Sequence, residues 1–148
     1  MLFHAAAVVT NRRGKAMRDP KPGAKPNGPS FDDSDMVDVT YGQIAVLALD
    51  TALPGDDKAV KDKPDQWVRQ VMRRDEISRA IVAATQDGGD GWVNLKEDQI
   101  NLLKERVALL LQQAPFERTG VVVAGQIIGA LENPPEKKPV APVREAAE

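Results

Sequence analysis

Apolar positions recur at helical spacing through the middle of the chain and lose that rhythm towards both ends. In TYGQIAVLALDTAL, Ile44, Leu47 and Ala48 share one face, with Ala45 and Leu49 beside it, which predicts a largely buried helix. Thr40 followed by Gln43 makes a capping box at its start, and Pro54-Gly55 stops it after Leu53. Next comes a charged connection, DDKAVKDK, with Asp62 as a cap and Pro64 tolerated in the first turn of the next helix. From Asp65 to Thr85, a stripe of Trp67, Val71, Ile77, Ile81 and Ala84 predicts that second helix, and Arg69, Arg73 and Arg79 point away from it to a solvated face. A third helix is predicted from Asn94 as cap, with Glu97 three residues on. Its stripe is Ile100, Leu103, Val107 and Leu110, widened by Leu102, Leu109 and Leu111, and Pro115 ends it. FERTGVVVAGQIIGALE is less uniform, because Val121 to Val123 favour strand while the length and pattern favour helix. A helix is expected there, with Thr119 near its start, and Gly125 and Gly129 are placed to admit a close helix crossing.

The ends read differently. LFHAAAVVTNRRGKAMRD reads as two extended stretches joined by a turn at Asn11 to Gly14. PKPGAKPNGPS holds four prolines and two glycines in eleven residues and cannot sustain a regular hydrogen-bonded element. Charge changes sign here. Arg12, Arg13, Lys15, Arg18, Lys21 and Lys25 oppose only Asp19 in the first 30 residues, and then FDDSDMVD brings four aspartates in eight positions. The tail NPPEKKPVAPVREAAE again has four prolines and few large apolar groups. The resulting expectation is mainly α: a compact bundle of about four helices over 38–132, with a short N-terminal β-hairpin or extended arm over 1–18. A proline- and glycine-rich, then acidic, linker covers 19–37, and a proline-rich tail covers 133–148.

Composition narrows the chemistry. At 148 residues, 42% hydrophobic and 28% charged, the chain has the balance of one globular domain with tails. A net charge of −2 does not by itself argue for nucleic acid. Without cysteine there is no disulfide, thiolate metal site or cysteine nucleophile, and His4 is the sole histidine. In MLFHAAAVVTNRRGK the positive charge comes after the apolar run, the reverse of a secretory signal, and the run is far short of the about 20 residues of a membrane span. A cytosolic location is expected.

The one stretch resembling a site is TQDGGDGWVNLKEDQ. Counting from Asp87, a calcium loop would need carboxylates at alternate positions and glycine at the sixth; Gly89, Gly91 and Trp92 stand there instead. A looser cluster of Asp87, Asp90 and Asp98 competes with a simpler reading, a glycine reversal between two helices. No phosphate-cradling loop is present, Ser30, Ser34 and Ser78 have no base beyond His4, and Asp56-Asp57 falls in a charged, wet connection. The expectation is a protein that is not an enzyme and has no cofactor or metal.

RRGKAMRD, VTYGQIAVLALDTAL, VNLKEDQINLLKERV and GVVVAGQIIGALE, in that order, resemble a family of small proteins encoded by tailed bacteriophages and prophages, mostly unassigned in function. The shared elements are the glycine turn at Gly14, the threonine-started helix from Thr40, the Leu95 to Val107 helix and the closing Val122 to Glu132 helix, over roughly 9–132. The proline-rich insert after Asp19 and the tail depart from the pattern. The resemblance implies a virion or assembly protein acting by protein–protein binding: capsid-associated, connector or tail-assembly chaperone. Its place would be the host cytoplasm during assembly, and the virion. Its partners would be other phage structural or assembly proteins, further copies of the chain among them, rather than nucleic acid or membrane. Rival readings are a phage-encoded inhibitor of a host protein, such as a defence system, and a nucleic-acid-binding regulator using the basic N-terminal arm. Arg12, Arg13, Lys15, Phe31 and Trp92 are the candidate partner-binding residues.

Overall fold

Thr40 and Gln43 cap the first long helix as their spacing requires. Gln43 N–H donates to Thr40 Oγ1 at 3.2 Å, and Thr40 N–H donates to Gln43 Oε1 at 3.2 Å. A computed structural model describes residues 1–21, 23–113 and 120–135. In chain order these form β1 (Leu2–His4), β2 (Arg18–Pro20), β3 (Met36–Asp38), α1 (Tyr41–Asp50), α2 (Asp56–Asp62), α3 (Pro64–Thr85), β4 (Trp92–Asn94), α4 (Glu97–Leu111) and α5 (Gly120–Glu132). The described chain is mainly helical, with two small antiparallel sheets, β1 with β4 and β2 with β3. The α1 helix packs on both α3 and α4, and α4 packs on α5. Ile44, Ala48, Ile81, Leu103, Val107 and Ile127 are among the side chains closing the core.

The N-terminal segment departs most from expectation. Thr10 bridges Ala16 across the Asn11–Gly14 turn, so the turn forms, but it does not extend into a ladder. Instead β1 pairs with β4, Leu2 opposite Asn94 and His4 opposite Trp92. Phe3, Ala5 and Val9 are buried in the core. These residues cannot act as a free arm, because their burial supplies part of the apolar area that stabilises the fold. Gln126 of α5 ties the turn down: its Oε1 accepts Thr10 N–H at 2.9 Å and its Nε2 donates to Thr10 O at 2.6 Å.

Pro20, which opens the proline-rich stretch, ends β2 opposite Met36, and residues 23–30 lie in the connection to β3. Arg18 closes it, donating to Asp33 O at 3.2 Å and Met36 O at 2.9 Å and pairing with Asp38 at 3.6 Å. The charged connection after Pro54 is the short helix α2. Asn94 does not cap α4, because it is paired in β4; Lys96 takes the cap position, its N–H donating to Gln99 Oε1 at 2.9 Å. Leu47 and Val71, expected inside, are exposed, since α1 buries Ile44, Ala45, Ala48 and Leu49 instead and α3 buries Arg74, Ile77, Ser78 and Ile81. Val121 to Val123 are helical. Among the described residues nothing stands within 4 Å of where a Cβ on Gly125 or Gly129 would lie, so no described helix makes the close crossing there. Pro115 and Thr119, and the tail from 136 onward, lie outside the described residues.

Candidate protein-docking groove

The close approach is at Gly42, in the first turn of α1. Its N–H donates to Ala5 O at 2.8 Å, and a Cβ there would fall 2.9 Å from that oxygen and 3.2 Å from Ile81 Cγ2. The glycine turn after α3 meets the same segment from the other side. Gly91 N–H donates to Ala84 O at 2.9 Å, and Gly91 O accepts Ala5 N–H at 2.8 Å. With φ +79° and Ala6 Cβ 2.5 Å from where a Cβ would stand, position 91 needs glycine both for its backbone and for room.

Between α1, the end of α3 and this turn runs an open groove of about 690 Å³. Its lining is mostly apolar, from Ala6, Val46, Leu47, Val82 and Ala84, and Asp50 and Asp90 add acidic groups. Leu47 is 43% and Val82 41% exposed, so large apolar side chains face solvent in a concave surface. Asp90 also serves the turn, accepting Trp92 N–H at 3.0 Å.

The far end of α1 is held by buried charge. Arg106, 2% exposed, donates from Nε to Ala48 O at 3.2 Å and from Nη2 to Thr51 O at 2.8 Å. Its Nη1 and Nη2 reach Asp56 Oδ1 and Oδ2 at 2.9 and 3.2 Å, a bidentate pair. Arg74 donates to Leu49 O at 2.7 Å and Thr51 O at 3.1 Å, with its guanidinium 5.4 Å from the centre of the Trp67 ring. Two cations thus satisfy the orphan carbonyls at the negative end of α1. Burial pushes the Asp56 carboxyl up, but the Arg106 hydrogen bonds, the Leu53 amide and the charges of both arginines outweigh it and hold it below the usual range. Burial, then the neighbouring Arg106 charge, lowers Arg74 against the opposing pull of Asp56 and Asp50. The sequence pattern places Asp56 in a wet loop, and this cluster corrects that reading; its structural work is to clamp α1 to α2, α3 and α4.

The candidate anchors fall in three places. Arg12, Arg13 and Lys15 are exposed together on one turn, ordered by Asn11 Oδ1, which accepts Arg13 N–H at 2.9 Å and Lys15 N–H at 3.1 Å. Phe31 is half-buried in the β2–β3 connection. Trp92 is half-buried and lies flat on His4, ring centres 4.3 Å apart and planes within 5°. The lone histidine is therefore a strand residue stacked on its cross-strand partner. Sequence reasoning missed Leu47 and Val82 as surface groups, because helical spacing identifies a face without saying what covers it.

Among the described residues no three His, Cys, Asp or Glu side chains converge as metal ligands, Asp87, Asp90 and Asp98 included. Among the same residues no helix is long and apolar enough to cross a membrane. No protein-family model, curated protein or solved structure matches the chain.

Proposed function

We propose that the protein is a non-enzymatic component of a tailed-phage particle or of its assembly, acting by protein–protein binding. The observation that carries this is the α1/α3 groove: a preformed apolar concavity with Leu47 and Val82 exposed in it and two carboxylates among its lining. Its occupant is an apolar helical segment of another phage structural or assembly protein, bearing a lysine or arginine to meet Asp50. The order of motifs resembling phage-encoded proteins supports the setting, and the groove supports the mode.

A photo-crosslinking amino acid at Leu47, introduced into the protein in infected cells, tests this. Capture of a virion or assembly protein, lost in a Leu47→Asp variant of the purified pair, is the expected result. Capture of a host protein through the same groove would transfer the reading to an inhibitor. DNA binding through Arg12, Arg13 and Lys15 that weakens steeply with salt would transfer it to a nucleic-acid regulator.

A further inference from the structure

The 22-residue α3 is about 33 Å long, yet it buries only Arg74, Ile77, Ser78 and Ile81 fully. At 100° per residue, Val71, Val82, Asp75, Val68, Arg79, Met72 and Ala83 fall in one arc of about 120° that starts beside that stripe and ends on the side opposite it. Val68 is 55% and Met72 67% exposed, and Val71 and Val82 are exposed with them. A helix face meant for water is polar, so four large apolar groups within one exposed arc mark a surface that is covered in the working protein. Arg69 and Arg73, by contrast, turn towards α4.

The charges on this face say what covers it. Asp75 and Arg79 lie one turn apart, with Arg79 Nε 2.8 Å from Asp75 Oδ2, so the face is complementary to its own reversed copy. We infer that α3 is the interface of a symmetric homodimer, two copies of the helix packing antiparallel about a twofold axis at the level of Ile77. In that register Asp75 of each protomer meets Arg79 of the other, Met72 meets Val82, and Val71 meets Ala83. A shallow depression of about 410 Å³ already exists where Met72 of the second copy would enter, lined in part by Arg79, Val82, Ala83 and Gln86. These four positions are the spacing of a hole that receives one knob in helix packing. The isologous contact closes on itself and leaves no repeating surface for fibres. Val82 also lines the α1/α3 groove, so this dimer would cover that edge of it; the inference does not rest on the phage setting.

Sedimentation velocity on the full chain, up to about 0.2 mM, tests it. A concentration-dependent dimer is expected, and Met72→Asp should raise its dissociation constant at least about tenfold. Asp75→Arg and Arg79→Asp should each be monomeric alone, because like charges then face each other across the axis. Mixed, they should form a heterodimer, since every facing pair becomes opposite in sign. Circular dichroism melting should show all three variants folded, their side chains being exposed. A wild-type chain monomeric throughout would overturn the inference, as would a dimer indifferent to Met72→Asp or a mixture of the charge variants that stays monomeric.

Discussion

The two ends of α1 are held by opposite means. Its first turn is capped by its own neighbours, Thr40 and Gln43, and set against residues 1–9 by the absence of a side chain at Gly42. Its last turn is capped by Arg74 and Arg106, which arrive from α3 and α4 with Asp56 of α2 between them. The first arrangement leaves an open groove beside the helix; the second leaves no room. A short-range cap places few demands on the surroundings, so the protein can expose apolar surface there. A cap made of buried charge requires close, mutual packing of every contributor, because each unpaired partner is costly.

Four substitutions bear on that contrast. Arg106→Ala should cost most, about 3–5 kcal/mol in urea unfolding, because it takes from buried Asp56 its bidentate partner and from the Ala48 carbonyl its donor. A loss below about 1 kcal/mol would mean water replaces the guanidinium and the two ends are alike after all. Asp56→Asn should cost about 1.5–3 kcal/mol at neutral pH by removing the carboxylate that buried Arg106 pairs with and leaving Arg74 with Asp50 alone.

The pH dependence of that second variant sharpens the point. The folded-state carboxyl of Asp56 titrates below its ordinary value of 3.8. Its contribution is therefore complete above that pH and is lost as the pH falls through the lower, folded value. The stability gap between wild type and Asp56→Asn should narrow on acidification below 3.8; a gap that is constant in pH would show that the charge contributes nothing.

At the other end, Gly42→Ala should cost about 1–3 kcal/mol, since the new methyl meets backbone at Ala5 and cannot be relieved by a rotamer change. Thr40→Ala should cost about 1 kcal/mol, the value of one cap. Thr40→Ala exceeding Arg106→Ala would reverse the ranking of the two ends.

The glycine turn shows how far local reading reaches. TQDGGDGWVNLKEDQ is legible as a reversal from one helix to the next, and Glu97 and Asp98 stand in the first turn of α4. That the turn would form a wall of a groove is not legible, because the opposite wall comes from Ala6 and α1, remote in the chain. Asn94 misleads for the same reason. Its cap-like position is overridden by pairing with Leu2, which no nearby residue announces. Three-residue strands carry too little alternation to be recognised by pattern.

Helix type and period are properties of neighbouring residues, so the sequence alone determined α1, α3 and α4, the Thr40–Gln43 box and the turn at Asn11 to Gly14. Burial is a property of what arrives from elsewhere. Only the tertiary structure decided that Phe3, Ala5 and Val9 belong to the core, that Leu47 and Met72 do not, and that two arginines lie inside. A charged side chain is buried only where distant groups supply its hydrogen bonds, and Arg106 finds Asp56 50 residues away.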